Sequence, residues 1–466
     1  MGDQFRTEED SLGEIEVPAD AYWGAQTQRA LENFPAPEHT FDRRFIEALG
    51  TVKKAAAETN RELGVLDAET ADPIVAAAEE VIAGEHDDQF VVTVFQTGSG
   101  TSANMNANEV IANRAAELRG DARGERTIHP NDHVNAGQSS NDVIPTATHV
   151  AARVAIETEL RPALDRLAEV LGEKERAFAD VVKTGRTHLQ DATPVTLGQE
   201  FGGYRTQIEH GQERIAAASE ELSELALGGT AVGTGLNTHE EFPERAIDRI
   251  VEETGLEFRE AENHFEAQAA HDALGAAHGA IRTVAGSLTK IANDLRLLAS
   301  GPRTGIGELD QPENQPGSSI MPGKVNPVVA EAVNQVHARV VGNDATVEAG
   351  ASAGQLELNL YKPVLADAVL ESVELLADAS ERFAEKFVAK LEADREGAAA
   401  QVEQSMALAT ALAPTIGYDE AATIAKTALE DEKTIREVAV EEGYLTAERA
   451  EELLDPSRMT ERGLLE

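Results

Sequence analysis

Three stripes of apolar residues, spaced three or four positions apart, constrain the fold of this 466-residue chain more than any other feature. They run through residues 156–171, 281–298 and 365–387. Apolar side chains at this spacing lie on one face of an α-helix. Because the other faces are charged, we expect long amphipathic helices that pack into a bundle. Pro162 interrupts the first stripe and is expected to bend or restart that helix.

Signals for β-strands are sparse. The best short candidate is the run of β-branched and aromatic residues at 90–95, and a helical or irregular conformation fits that run equally well. The sequence contains no internal repeat, and no apolar stretch reaches the length that spans a membrane. The sequence therefore predicts a mainly α protein.

The charge of the chain is unusual, since 84 acidic residues against 40 basic ones give a formal net charge of −44. Such a field repels nucleic acid and anionic membranes, and it hinders a dianionic substrate in dilute buffer. In salt of about 1 M the screening length falls to about 3 Å, so the self-repulsion largely disappears. An ordinary acidic protein and acidic interaction tails are the alternatives. The acids are spread along the whole chain and lysine is scarce, which favours a halophilic protein.

The cysteine count also limits the chemistry. The chain contains no cysteine, which excludes disulfides, thiolate catalysis and an iron–sulfur cluster held by cysteine. The acidic N-terminal segment lacks the apolar run of a signal peptide. We therefore expect a cytoplasmic protein.

One loop concentrates reactive groups. Residues 317–327 read GSSIMPGKVNP and combine two hydroxyls, a cation, an amide and two glycines. Prolines here disfavour helix, while the glycines permit backbone angles that other residues avoid. Such a loop can present a base beside donors for a carboxylate. A plain connector between helices is the alternative, because the same residue types dominate turns.

Two further segments, 97–109 and 137–142, place hydroxyl residues in front of helices. Free backbone N–H groups and the helix dipole favour an anion at such a terminus, although each segment could equally be a simple N-cap. A fourth segment, 185–191, contains His188, a residue type that exchanges protons near neutral pH. The hydroxyl and amide residues of the first two segments are Ser99, Thr101, Ser139, Ser140 and Asn141.

Together these segments resemble the fumarase/aspartase superfamily, and within it the class II fumarases, which need no iron. The similarity covers nearly the whole chain, from YWGAQT at 22–27 to GYL at 443–445. The loop GSSIMPGKVNP is its most specific part, because eleven consecutive positions match. The resemblance implies a three-domain fumarase/aspartase-like fold with a central long-helix bundle, and a homotetramer whose active sites are each shared by three chains. It implies no cofactor and no metal. The domains are expected at 1–139, 140–395 and 396–466.

The activity implied by the resemblance is the reversible hydration of fumarate to (S)-malate, by anti addition and elimination through an aci-carboxylate intermediate. Ser318 resembles the general base. His188, paired with Glu331, resembles the residue that helps a water molecule protonate the leaving hydroxyl. An aci-carboxylate needs preorganised donors around its charge. The residues expected to bind substrate are Ser99, Thr101, Ser139, Ser140, Asn141, Thr187, Lys324 and Asn326.

A second carboxylate site is implied at Arg126, His129, Asn131 and Asp132. His129 and His133 could also suggest a metal site, but Pro130 argues against a regular helix face shared by the two histidines. Because the resemblance accounts for this segment, we expect no metal there.

Aspartate ammonia-lyase, from the same superfamily, is the alternative activity. Aspartases usually carry threonine in place of Ser140 and alanine in place of Gly229, so both positions favour fumarase. A non-catalytic protein that reuses the fold is disfavoured, because all of the polar loop residues are present. The expected partner is therefore a small dicarboxylate.

Overall fold

The computed structural model describes residues 5–463. Residues 1–4 and 464–466 lie outside the described residues, and with them the start of the acidic N-terminal segment and the outer ends of the first and third expected domains. Within 5–463 the chain forms mostly helix, which confirms the mainly α prediction.

The helices are α1 (Ala25–Asn33), α2 (Arg43–Glu62), α3 (Ala68–Ile82), α4 (Thr101–Arg119), α5 (Ser140–Ala155), α6 (Arg161–Ala177), α7 (Leu197–Glu221), α8 (Phe242–Thr254), α9 (His264–Ala269), α10 (Asp272–Leu298), α11 (Val328–Ala351), α12 (Lys362–Arg382), α13 (Arg395–Gln404), α14 (Ala413–Ile416), α15 (Tyr418–Glu430), α16 (Ile435–Glu441) and α17 (Ala447–Leu453). The strands are β1 (Phe5–Asp10), β2 (Gly13–Pro18), β3 (Val182–Thr187), β4 (Gln190–Thr196), β5 (Glu224–Leu225), β6 (Arg259–Glu260), β7 (Leu309–Asp310) and β8 (Glu392–Ala393). Each strand pairs with one other, antiparallel in β1–β2, β3–β4 and β7–β8 and parallel in β5–β6.

The three apolar stripes form buried helix faces, as predicted. Ile281, Leu288 and Leu295 of α10 are fully buried, and so are the apolar residues of the other two stripes. Near Pro162 the chain makes one π-helical turn, Ile156–Leu160, and restarts as α6. Proline lacks the N–H that an uninterrupted α-helix would need at this point, so the predicted restart is confirmed.

The chain divides into two compact units. The first consists of Met1–Pro162, Glu213–Thr283 and Ala338–Ala377, and in it α2 packs against α3, α5 and α8. The second consists of Ala163–Gln212, Val284–His337 and Asp378–Glu466. A small core near its C-terminal end includes residues of α15 and α16. The expected three-domain division stays a prediction.

Two other expectations concern local structure and membranes. Residues 90–95 form no strand and contribute one isolated bridge, from Thr93 to Thr40. No helix within 5–463 combines the length and the apolar character needed to cross a membrane. The cytoplasmic location stays a prediction.

The hairpin β3–β4 is held by a buried charge network. The Glu308 carboxylate is fully buried and lies 3.2 Å from Lys183 Nζ and 2.8 Å from Arg186 Nη1. Lys183 Nζ also lies 3.0 Å from the Glu200 carboxylate. Because Lys183 and Arg186 belong to β3, this network fixes the strand that leads to His188.

We predict that Glu308→Gln lowers the free energy of unfolding by about 3–5 kcal/mol, because it leaves buried cations uncompensated. The measurement is a urea denaturation series at fixed high salt. Glu430→Gln is the control, because Glu430 is exposed and its ion pair with Lys426 is long, at 3.8 Å. The free energy of unfolding is expected to change by less than about 1 kcal/mol in this variant. Equal unfolding midpoints for the two variants would contradict a structural role for the network.

Candidate active site

Three hydroxyl groups from two separate segments of the sequence meet in the first unit. Thr101 Oγ1 lies 2.8 Å from Ser99 Oγ and 2.8 Å from Ser140 Oγ. Thr101 is the first residue of α4 and Ser140 is the first residue of α5. Two helix N-termini therefore meet at one cluster of hydroxyls, and the positive ends of the two helix dipoles suit an anion there.

The turn in front of α4 requires glycine at its cap position. Gly100 has φ +79°, in the left-handed region, and a Cβ on it would lie 2.7 Å from the Ile144 side chain. Gly98, two residues earlier, lies so close to the Leu360 carbonyl that a Cβ would be 1.8 Å from that oxygen. These two glycines let the backbone carrying Ser99 approach α5 and the segment before α12.

The N-terminus of α5 is closed by a capping box. Ser139 Oγ accepts a hydrogen bond from the α5 backbone, and Asp142 Oδ1 accepts one from the Ser139 N–H at 2.9 Å. The other Asp142 oxygen accepts from the N–H groups of Gly228 and Thr230, at 3.1 and 2.8 Å. Asn141 Nδ2 donates to the Ala231 carbonyl at 2.7 Å. The glycine-rich segment at 228–235 is thus fixed beside the hydroxyl cluster.

Residues 317–327 form an irregular loop in the second unit, as predicted. The Gly317 N–H donates to the Lys324 carbonyl at 3.0 Å, and Asn326 Nδ2 donates to the Gly317 carbonyl at 2.7 Å. A Cβ on Gly317 would lie 2.2 Å from the Lys324 carbonyl oxygen, so only glycine allows this closure. The loop is closed on itself and presents Lys324 to solvent.

The Ser318 hydroxyl has a specific environment within this loop. Ser318 Oγ accepts hydrogen bonds from the N–H groups of Ile320 and Met321, at 3.2 and 3.0 Å. Backbone donors aimed at one oxygen stabilise negative charge on it. Ser319 is exposed and accepts no such pair of bonds among the described contacts.

His188 lies at the tip of the hairpin β3–β4. The two-residue turn is His188–Leu189, and both residues have positive φ, +56° and +60°. Turns of this kind usually contain glycine, asparagine or aspartate, so this one is strained. Thr187 and His188 are exposed. Nothing in the sequence analysis pointed to the hairpin, because its turn residues lack the usual signal.

Glu331 lies in the first turn of α11 and lines an open cavity of about 420 Å³ together with Val325 and Pro327. Within residues 5–463 of one chain, Glu331 makes no ion pair with His188. The pairing expected from the resemblance therefore stays a prediction.

His129 and His133 take part in a local turn. His129 Nδ1 accepts from the N–H groups of Asn131 and Asp132, at 3.3 and 3.1 Å, and His133 Nδ1 accepts from the His129 N–H at 2.9 Å. Nδ1 of His129 therefore carries no proton, and its 3.4 Å approach to the Asp132 carboxylate is no charge pair. Within the described part of the chain, no group of three metal-ligating side chains is assembled.

Two buried lysines beside the hydroxyl cluster were missed by the sequence analysis. Lys362 Nζ donates to the Asn141 carbonyl at 2.8 Å. Lys53 Nζ donates to Asn135 Oδ1 and Gln138 Oε1, at 3.0 and 2.9 Å. Lys53 could have been found, because it lies four residues after Leu49, on the apolar face of α2. Lys362 opens its helix and has no comparable signal.

Comparison with known proteins gives the family of the chain. The chain matches the Lyase family over residues 13–342 and the Fumarase C C-terminus family over 408–461. It is 71% identical over 465 residues to the class II fumarate hydratase of Halobacterium salinarum, covering 100% of this chain and 99% of the relative. It is 54% identical to the Nitrosomonas europaea protein of the same name, covering 98% of this chain and 100% of that protein.

Solved structures give the same result. The class II fumarase of Schistosoma mansoni superposes with a TM-score of 0.95 at 42% identity, covering 98% of this chain and 99% of that one. The fumarate lyase:delta crystallin of Brucella melitensis, bound to cobalt, also gives 0.95, at 47% identity and with 98% and 100% coverage. The chain therefore belongs to the class II fumarate hydratase family of lyases.

Proposed function

We propose that this lyase interconverts fumarate and (S)-malate by anti addition and elimination of water, and that Ser318 is its general base. The observation that carries the proposal is the pair of N–H groups, from Ile320 and Met321, that point at Ser318 Oγ. A serine hydroxyl is a poor base at neutral pH, so the alkoxide needs donors of this kind.

The same loop supplies groups for the carboxylate whose charge grows in the reaction. Removal of the C3 proton of malate converts the adjacent carboxylate to a dianionic aci-carboxylate. Lys324, which is exposed on the loop, is assigned to this carboxylate. Asn326 uses one N–H of its amide for Gly317 and keeps the second for a ligand. The Asn326 amide is held by the loop before the charge appears, and such preorganisation lowers the barrier.

The hydroxyl cluster is assigned to the substrate carboxylates and the C2 hydroxyl. Its donors stand at the N-termini of α4 and α5, where the helix dipoles favour anions. Thr187, at the end of β3, is assigned to the same task. The substrate-binding set is Ser99, Thr101, Ser139, Ser140, Asn141, Thr187, Lys324 and Asn326.

His188 is assigned to the second half of the reaction, in which a bound water molecule protonates the leaving hydroxyl. Glu331 pairs with the imidazole and sets its charge. We place this pair between chains of a homotetramer, with three chains contributing to each site. In support, the hydroxyl cluster, the hairpin tip and the Ser318 loop lie in segments far apart in the sequence, and no pairing of His188 with Glu331 occurs within the described residues of one chain.

Arg126, His129, Asn131 and Asp132 are assigned to a second carboxylate site. His129 Nδ1 accepts backbone hydrogen bonds, so its proton lies on Nε2 in the neutral ring. Nε2–H and the Arg126 guanidinium are both suited to a carboxylate.

The base assignment is tested by Ser318→Ala. Turnover of malate is expected to fall at least about a hundredfold with little change in KM, because a missing base acts in the transition state. The measurement is the absorbance of fumarate formed from malate. Ser319→Ala, in the next position, is the matched control and should keep turnover within a few-fold of wild type. A Ser318→Ala enzyme with more than about a tenth of wild-type turnover would exclude this base.

Substrate choice is tested by comparing malate with aspartate. An ammonium group leaves already protonated, whereas a hydroxyl needs a proton delivered through His188 and water. We therefore predict fumarate from malate and negligible ammonia from aspartate, with ammonia measured directly. Ammonia release at a rate comparable to malate dehydration would show that the enzyme is an aspartase. The assignment of Ser318 as the base would then still stand.

Salt adaptation is tested on the assembly. The Debye length grows from about 3 Å at 1 M to about 30 Å at 0.01 M, so repulsion between chains returns as salt is removed. With a net charge of −44 per chain, the tetramer is expected to dissociate and lose activity at low salt. Sedimentation velocity and activity across a salt series are the measurements. An intact, active tetramer after prolonged dialysis into low-salt buffer would argue against halophilic adaptation.

A further inference from the structure

Buried lysines are over-represented in a chain that uses lysine sparingly. The chain has 11 lysines, and three of them, Lys53, Lys183 and Lys362, are at most 2% exposed. Lys183 is compensated by the carboxylates of Glu200 and Glu308. Among the described residues, no carboxylate lies within ion-pair distance of Lys53 or Lys362. A buried ammonium without a paired carboxylate is costly and calls for a reason.

Lys362 connects the two turns that carry the hydroxyl cluster. Its Nζ donates to the Asn141 carbonyl at 2.8 Å, and its backbone N–H donates to the Gly98 carbonyl at 3.1 Å. One turn carries Ser99 and the other carries Ser140. The ammonium group of Lys362 therefore contacts the residue that directly follows Ser140 of the cluster.

Lys53 holds the segment that enters α5. Its Nζ donates to Asn135 Oδ1 and Gln138 Oε1, so its only described acceptors are neutral amides. Gln138 directly precedes the cap residue Ser139. Lys53, a second buried cation, is thus held by the segment that directly precedes the N-terminus of α5.

Among residues 5–463, Asp142 is the acidic group whose charge acts on both lysines. It is fully buried and accepts hydrogen bonds from three backbone N–H groups. Burial lowers the pKa of Lys53 to about 7 and that of Lys362 to about 7, while Asp142 opposes the shift in both cases. His271 also faces Lys362, and burial lowers its pKa well below the usual value, so it stays neutral.

We propose that Lys53 and Lys362 are positioning residues that give the hydroxyl cluster a positive potential, which draws the dianionic dicarboxylate into a chain of net charge −44. The inference rests on the proposed function, because it concerns the substrate-binding cluster of that reaction. Exposed cations would lose their effect in concentrated salt, whereas buried ones are screened much less. Burial of the cations therefore suits a site that must attract an anion at high ionic strength.

The test uses Lys53→Met and Lys362→Met in the full-length enzyme, because methionine keeps much of the volume and removes the charge. In about 3 M KCl at pH 6.5, each change is expected to raise KM for malate about tenfold and to alter kcat less than about threefold. One charge acting over roughly 10 Å at an effective dielectric constant of about 20 has an effect of this size. Lys426→Met is the matched control, since Lys426 is exposed on α15 and its loss should leave KM unchanged.

The pH profile separates a charge effect from a structural one. In wild type, the dissociation constant of succinate, an unreactive dicarboxylate, is expected to rise as pH increases through about 7, because the lysines lose their protons. This rise should persist in His188→Asn and be smaller in either lysine variant. A pH-independent succinate affinity in His188→Asn, or unchanged KM in the folded lysine variants, would overturn the inference. Failure of wild type to form malate from fumarate would instead overturn the proposed function.

Discussion

The hydrogen bonds of the Asp142 carboxylate determine the arrangement of the candidate site in the first unit. This carboxylate closes the N-terminus of α5 through the Ser139 N–H and holds the 228–230 segment through two more N–H groups. Because the group is fully buried, each of these hydrogen bonds forms in a medium of low dielectric constant and is costly to leave unmade. The charge of this same carboxylate also acts on the two buried lysines, Lys53 and Lys362, and opposes the lowering of their pKa values.

The charge distribution separates two tasks. The many carboxylates, which make the net charge −44, keep the chain solvated, and they also oppose the approach of a dianion. The cations that would offset this at the hydroxyl cluster are inside the fold, where salt screens them weakly. In the second unit, Lys183 is buried as well, but there Glu200 and Glu308 neutralise it and the network anchors a hairpin. Similar burial of lysine thus accompanies two different roles, which are distinguished by the presence or absence of paired carboxylates.

Much of the fold and part of the site could be predicted from local patterns. The stripe in α10 is found as expected, and the cap at Ser139 matches the alternative of a simple N-cap in the segment 137–142; both depend on residues close in sequence. The meeting of Thr101 with Ser140 depends on the packing of α4 near α5, which a single sequence does not encode locally. The turn at His188 could not be predicted, because its residues adopt positive φ against their own preference. Lys362 was missed for a related reason, since its partners lie more than two hundred residues earlier in the chain.

The central claim is that the chain adds water to fumarate in the anti sense, with one proton delivered to C3 by a single base. Incubation of the enzyme with fumarate in deuterium oxide, followed by proton NMR of the malate formed, tests this directly. The account predicts malate with one deuterium on C3, on the face opposite to the hydroxyl. Malate labelled on the same face as the hydroxyl, a mixture of both isomers, or no malate at all would contradict it.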